Sequence, residues 1–116
     1  GLPHDDMWEY FPQGLGINIR RFWNEYKLPI IITENGVCTG DDTLRVKAIY
    51  DYLNQVLECI GAGIDVRGYF HWSPWDNFEW NLGPSFKFGL FETDPVTLER
   101  RPRPSAKHYA EIAWRV

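Results

Sequence analysis

Two short strand-like segments on either side of one amphipathic stretch limit most strongly how this chain can fold. Ile30 to Thr33 is a continuous run of β-branched residues, and Val66 to Trp72 (VRGYFHW) is the second segment. Between them, apolar residues recur at steps of three and four, which predicts a helix. These residues are Val46, Ile49, Leu53, Val56, Leu57 and Ile60. A strand, a helix and a second strand in this order predict a parallel pair with a right-handed crossover, in a sheet covered on both faces.

Further helices are predicted on both sides of this unit. Upstream, apolar residues with helical spacing are Leu15, Ile19, Phe22 and Trp23. That helix should end at Lys27 to Pro29, because proline restricts the residue before it. A last helix should begin at Ser105, and its apolar stripe is Tyr109, Ile112, Ala113 and Val116. Residues 1–13 are loop-like, and residues 73–104 have no strong period, so no element is predicted in either stretch.

The first predicted strand ends on a carboxylate, within the sequence IIITENG of residues 30 to 36. Two interpretations are open. Asn-Gly is a strong signal for a hairpin turn, so IIITENGVCTG could form two antiparallel strands with Glu34 before the turn. Alternatively, Glu34 ends a strand of a parallel α/β fold, where active sites are built at the carboxyl ends of the strands. The pattern of this segment alone does not decide between them.

The second strand runs into WSPWDNFEW, which crowds aromatic rings around two carboxylates, Asp76 and Glu79. Phe, Trp and Tyr make up 16% of the chain, more than a core of this size should hide. Aromatic faces flanked by carboxylates suit carbohydrates, and a retaining glycosidase needs two carboxyl groups about 5–5.5 Å apart. From the residues alone, Glu34 and Glu79 look like such a catalytic pair. The alternatives are a packed loop core for the rings and an ordinary surface position for Glu79.

Composition and charge argue against several classes of function. The net charge of −4 gives no general attraction for nucleic acid or anionic lipid. No apolar run approaches the roughly 18 residues of a membrane span, and no signal peptide is recognisable. Cys38 and Cys59 lack metal or redox spacing, which indicates idle thiols in a reducing compartment and a cytoplasmic location. Arg100, Arg101 and Arg103 lie between prolines and are predicted to form a solvated turn.

Several motifs together resemble one family. TENG after an apolar strand is followed by GYFHWS, DNFEW, FGLF and PRPSAKHYAEI. In this order they resemble the C-terminal part of family 1 glycoside hydrolases, the β-glucosidases and β-glycosidases with a (β/α)8 TIM barrel. The resemblance covers nearly all of the chain. It implies an α/β fold comprising helix 6 to helix 8 with strands 7 and 8 of that barrel. Residues 1–116 would then be a C-terminal segment of a single barrel domain rather than an independent domain.

The resemblance implies roles for five residues. Glu34 matches the catalytic nucleophile, which would attack the anomeric carbon and form a glycosyl-enzyme. Trp72 matches the aromatic platform under the sugar. Glu79 matches the carboxylate that binds the 4- and 6-hydroxyls, and Trp80 matches a neighbour that reaches the 3-hydroxyl. Phe88 matches a ring that lines the same subsite.

The family also corrects the pairing of Glu34 with Glu79. Its second catalytic carboxylate, the acid/base, lies in an Asn-Glu-Pro motif after strand 4, and this sequence contains no such motif. A second chain carrying the N-terminal part of the barrel with that motif is therefore the implied partner. The resemblance further implies a cis Trp72–Ser73 peptide bond. His71 and the pair Pro74–Trp75 replace commoner aliphatic residues, and Lys87 stands where the family usually has Arg.

The function implied is that of a retaining β-glycosidase of the β-glucosidase type. It would hydrolyse terminal β-linked glucose from glycosides or short oligosaccharides, without a metal or organic cofactor. This chain would supply the nucleophile and the glycone subsite, and would be active only with the remainder of the barrel. The alternatives are an inactive fragment and a non-catalytic carbohydrate-binding segment, because the acid/base is missing. Both predicted strands would have an unpaired edge in the isolated chain, which favours aggregation.

Overall fold

The structure is a computed structural model that describes residues 4–115. Its elements are α1 (Pro12–Tyr26), β1 (Ile30–Asn35), α2 (Asp42–Gly61), β2 (Val66–His71), a 3-10 turn (Trp80–Leu82), β3 (Phe91–Thr93), β4 (Arg100–Pro102) and α3 (Pro104–Ala113). The three predicted helices and both predicted strands are present, with ends that differ from the expected ones by at most three residues. Val116, predicted on the stripe of the last helix, lies outside the described residues.

β1 and β2 form a parallel two-stranded sheet, joined through α2. Ile30 pairs with Val66, and Ile32 pairs with Tyr69. The hairpin interpretation of Asn-Gly is therefore wrong, because the residues after β1 form no antiparallel strand but lead into α2. Asp41 caps α2 by accepting the backbone N–H of Thr43 at 2.9 Å, as expected for an acidic N-cap.

The main core lies where α1 and α2 pack against β1. Its fully buried members are Ile19, Ile32, Val56, Cys59 and Ile64, with Leu15 and Trp23 packed at its margin. Ile19 and Val56 come from the predicted helical stripes and Ile32 from the first predicted strand, whereas Cys59 and Ile64 lie outside them. The stripes were predicted too wide, because Phe22, Leu57 and Ile60 are exposed. Both helices pack on one face of the sheet and support the two strands, and therefore also the strand ends at which the candidate residues lie.

The stretch for which no element was predicted contains a second, antiparallel sheet. β3 pairs with β4, so that Phe91 lies opposite Pro102 and Thr93 opposite Arg100. Strands of three residues are too short to show a period in the sequence. The solvated turn predicted for the arginines is wrong for Arg103, whose side chain is 14% exposed in an ion pair with Asp76.

The chain is less compact than an independent domain of its size. Its accessible surface is 7714 Å², against about 6600 Å² for a typical folded protein of this mass. Its radius of gyration is 15.1 Å, against about 13.4 Å expected. Ile31 and Phe70, on the two parallel strands, are more than half exposed. Within residues 4–115, no helix has both the length and the apolar character needed to span a membrane.

Candidate active site

A cleft of about 410 Å³ lies beyond the carboxyl ends of β1 and β2. Its walls are Trp8, Glu34, Asn35, Gly36, Trp72, Glu79, Trp80 and Phe88. All five residues that the sequence singled out are among them. The structure therefore brings the candidate nucleophile, the candidate platform and the three other candidate sugar contacts to one site at a strand end.

The pairing of β1 with β2 is irregular beside Glu34, which lines this cleft. Ile32 pairs with Tyr69 and Asn35 with His71, so three steps along β1 correspond to two along β2. The extra residue breaks the alternation of the strand, and bulges commonly re-aim side chains beside active sites. This explains how a strand as apolar as IIIT ends on an exposed carboxylate. The buried part of the strand supplies a rigid support for that carboxylate.

The two strand ends are packed against each other just beyond the bulge. The backbone N–H of Trp72 donates to the carbonyl of Asn35 at 2.9 Å. A Cβ atom on Gly36 would lie 1.9 Å from the carbonyl oxygen of Trp72, so only glycine fits there. The Tyr69 hydroxyl donates to Oδ1 of Asn35 at 2.8 Å. The Trp72–Ser73 peptide bond is cis, which confirms that prediction.

Trp8 is a wall of the cleft that the sequence analysis missed. The Asp5 carboxylate accepts the backbone N–H groups of Met7 at 2.7 Å and Trp8 at 2.6 Å. Its other oxygen accepts the N–H of Cys38 at 3.0 Å, in the segment that follows β1. The Trp8 ring then lies 5.7 Å from the Phe88 ring, centroid to centroid. The sequence around Trp8 shows no periodic pattern. The contact that positions it, between Asp5 and Cys38, joins residues that are far apart in the sequence.

The remaining walls come from the loop after β2. Phe88 is buried, with 4% of its surface exposed, whereas Trp80 is 85% exposed at the rim. The backbone N–H of Glu79 donates to the carbonyl of Gly83 at 2.9 Å, which closes a short turn around Trp80. Both ionisable side chains that line the cleft within residues 4–115 are carboxylates, Glu34 and Glu79. The cleft therefore carries negative charge.

A buried histidine lies behind the cleft, at the end of β2. His71 is 8% exposed, its ring is 5.7 Å from that of Tyr109, and neither ring nitrogen has a hydrogen-bond partner among the described residues. Burial is the largest cause that lowers the pKa of His71 from 6.5 to about 4. The charge of Arg45 acts in the same direction. The backbone carbonyl of Phe88, near the ring but outside hydrogen-bond geometry, opposes both.

Arg45 itself is fully buried and ties the neighbouring segments together. Its guanidinium donates to Asp42 at 2.6 Å, to the carbonyl of Lys87 at 2.9 Å and to the carbonyl of Thr39. Asp42 in turn accepts the hydroxyl of Ser105 at 2.7 Å, at the start of α3. Among residues 4–115, no three acidic, histidine or cysteine side chains converge in a way that could hold a metal ion.

Comparison with known proteins identifies the family. The sequence model described as Glycosyl hydrolase family 1 matches residues 2–115. The chain belongs to glycosyl hydrolase family 1. A family 1 relative, the β-galactosidase of Saccharolobus solfataricus, is 45% identical over 114 residues, which are 97% of this chain and 23% of that protein. A 6-phospho-β-galactosidase of Staphylococcus aureus is 37% identical over 125 aligned residues, 97% of this chain and 27% of that protein.

Solved structures give the same result for the fold. The β-glycosidase from Pyrococcus horikoshii superposes with a TM-score of 0.93 at 46% identity, over 96% of this chain and 26% of that one. The chain is thus a partial α/β portion of the TIM barrel of family 1 glycosidases, which confirms the predicted fold class. It spans about a quarter of the length of the curated relatives it matches.

Proposed function

We propose that this chain carries the nucleophile and the glycone subsite of a retaining β-glycosidase. Glu34 attacks the anomeric carbon, Trp72 stacks on the sugar, and Glu79 accepts its 4- and 6-hydroxyls. Trp80 and Phe88 complete the wall. The observation that carries the proposal is the cleft at the carboxyl end of β1, which Glu34 lines together with the other four residues. A carboxylate on a strand end, beside aromatic faces, is what covalent glycoside hydrolysis requires.

The charge of the cleft favours a neutral terminal sugar. One relative is named a 6-phospho-β-galactosidase, whose substrate name implies a phosphate on the sugar. In this chain, no lysine or arginine lines the cleft within residues 4–115, and both lining charges are negative. A phosphate placed there would meet like charges without a cationic partner. We therefore propose unphosphorylated β-glycosides as substrates, with glucose as the preferred terminal sugar.

The proposal leaves the acid/base to the remainder of the barrel. Glu34 and Glu79 are the carboxylates of this part of the cleft, and Glu79 is assigned to sugar hydroxyls. The second catalytic carboxylate then comes from an Asn-Glu-Pro motif on the rest of the protein, on the same or on a second chain. A cytoplasmic location also belongs to the proposal, supported by two free, buried cysteines, Cys38 and Cys59.

The test uses a complete barrel. In a chimera, this chain replaces the matching segment of the Saccharolobus solfataricus β-galactosidase. A 2-deoxy-2-fluoro-β-glucoside with a good leaving group should label Glu34 covalently. The fluorine slows both steps, but the good leaving group restores the rate of the first, so the glycosyl-enzyme accumulates. Peptide mapping locates the label. A label on any other carboxylate would contradict the assignment of Glu34.

A substitution provides a second readout. Glu34→Gly should lose nearly all hydrolysis, and azide should partly restore turnover by occupying the place of the missing carboxylate. Glu92→Gly is the matched control, since Glu92 is an exposed carboxylate on β3 outside the cleft. It should hydrolyse glycosides like the parent chimera and should not respond to azide. Equal azide responses in both variants would refute the nucleophile assignment.

A further inference from the structure

The loop after β2 is held at its base by a buried ion pair. Asp76 is 5% exposed, and Arg103 donates a hydrogen bond to each of its oxygens, from Nη1 to Oδ1 at 3.0 Å and from Nη2 to Oδ2 at 2.8 Å. This bidentate geometry fixes orientation as well as charge. Burial raises the pKa of Asp76, but the bonds from Arg103 and the Gly89 N–H, with the charges of Arg103 and of Lys87 3.6 Å away, outweigh it, so the pKa is lowered.

The same arginine also binds the returning limb of the loop. Its Nη1 donates to the carbonyl of Gly89 at 2.6 Å, while the Gly89 N–H donates to Asp76 at 2.9 Å. The backbones are equally close there, since a Cβ on Gly89 would lie 2.1 Å from the Asp76 nitrogen. The Arg103 N–H donates to the carbonyl of Leu90 at 3.0 Å, just before α3. One guanidinium thus joins the outgoing limb, the returning limb and the start of α3.

The residues held in this way are the neighbours of cleft walls. Phe88 precedes Gly89, and its carbonyl accepts the N–H of Ser73 at 3.2 Å, next to Trp72. Glu79 lies three residues beyond Asp76, on a loop tip whose regular structure is one 3-10 turn. The position of the loop tip, and of Glu79 on it, therefore depends on how the base of the loop is held.

We propose that Arg103 and Asp76 are positioning residues for recognition of the sugar. The pair sets the position of the loop tip and so of Glu79 relative to Trp72. This inference rests on the proposed function, because it assigns the pair a role through the proposed contacts of Glu79 with the sugar. Glucose and galactose differ at the 4-hydroxyl, so a displaced Glu79 changes the preference between them. A lysine at position 103 cannot hold Asp76 in the same way, because its ammonium group is a point charge whereas the planar guanidinium binds both carboxylate oxygens.

The experiment measures the ratio of kcat/KM for a β-glucoside to that for a β-galactoside in the chimera. This ratio does not depend on how much of the protein is folded, so loss of stability alone leaves it unchanged. Arg103→Lys keeps the charge and removes the fork, and should change the ratio at least fivefold. Arg101→Lys is the matched control, because Arg101 is 62% exposed and pairs with Glu99 at the surface. It should keep the parent ratio.

A second variant serves if Arg103→Lys does not fold. The double substitution Asp76→Asn with Arg103→Gln removes the buried carboxylate and its bidentate partner together, which is often tolerated where removal of one is not. It leaves Lys87, the second cation beside Asp76, which is partly exposed to solvent. It should also change the ratio at least fivefold. If a folded variant of either kind keeps the parent ratio, the inference is overturned while the proposed function stands. If the parent chimera hydrolyses neither glycoside, the proposed function fails and the inference falls with it.

Discussion

Replacement of His71 by leucine should remove a pH dependence of stability between about pH 6.5 and pH 4. His71 is buried without a hydrogen-bond partner among residues 4–115, and its pKa is lowered from 6.5 to about 4. In the unfolded chain the imidazole takes up a proton below about pH 6.5. In the folded protein it stays neutral until about pH 4. Between these values the unfolded state binds more protons, so stability falls as the pH falls.

The size of the effect follows from the two pKa values. At about 1.36 kcal/mol per pKa unit, the gap between 6.5 and about 4 corresponds to about 3.4 kcal/mol once the pH is well below 4. About 2 kcal/mol of this should already be lost between pH 8 and pH 5. The paired carboxylates Asp42 and Asp76 have lowered pKa values and so contribute to acid unfolding at a lower pH. The two effects therefore occupy different parts of the pH range.

The assay is urea unfolding of the chimera at pH 8, 6.5 and 5, followed by fluorescence. The free energy of unfolding should fall with pH by about 2 kcal/mol more in the parent than in His71→Leu. His108→Leu is the matched control, since that ring lies near the surface with Nδ1 3.1 Å from the Tyr50 hydroxyl. Parallel pH curves for the parent and His71→Leu would refute the reasoning.

Three further predictions concern the site and the chain as a whole. Trp72→Ala and Glu79→Ala should each lower kcat/KM strongly in the chimera, and Glu79→Ala should bring the rates for glucosides and galactosides together; an unchanged ratio would contradict the role given to Glu79. Asp5→Ala should destabilise the chimera by about 1–3 kcal/mol in urea unfolding, because three backbone N–H groups lose their acceptor; an unchanged midpoint would show that the segment is held by other contacts. Residues 1–116 expressed alone should aggregate, since β1 and β2 each have one unpaired edge and Ile31 and Phe70 are exposed; a soluble, cooperatively melting monomer in calorimetry and gel filtration would count against this.

The parts of the fold that sequence predicted are those with a local cause. β1, α2 and β2 follow from two strand-like segments and from the helical stripe between them. The motifs placed Glu34 and Trp72 in one cleft because both lie at the carboxyl ends of parallel strands, and such ends meet at one edge of the sheet. Here the sequence pattern and the tertiary structure agree.

The parts that sequence did not predict depend on contacts between distant residues. The bulge in β1 depends on how this strand pairs with β2, where two residues of β1 lie opposite one of β2. The sequence of the strand alone does not reveal such pairing. Arg103 looked solvated because its partner Asp76 lies 27 positions away. Trp8 lines the cleft through the contact of Asp5 with Cys38, and nothing local signals that contact.

Gly36 allows the two strands to meet backbone to backbone at the floor of the cleft. The backbone there approaches the Trp72 carbonyl so closely that the smallest side chain would overlap it. A side chain at position 36 would push the two strand ends apart, and with them the backbone that carries Glu34 and Trp72. The glycine is therefore a condition for both side chains to line one cleft.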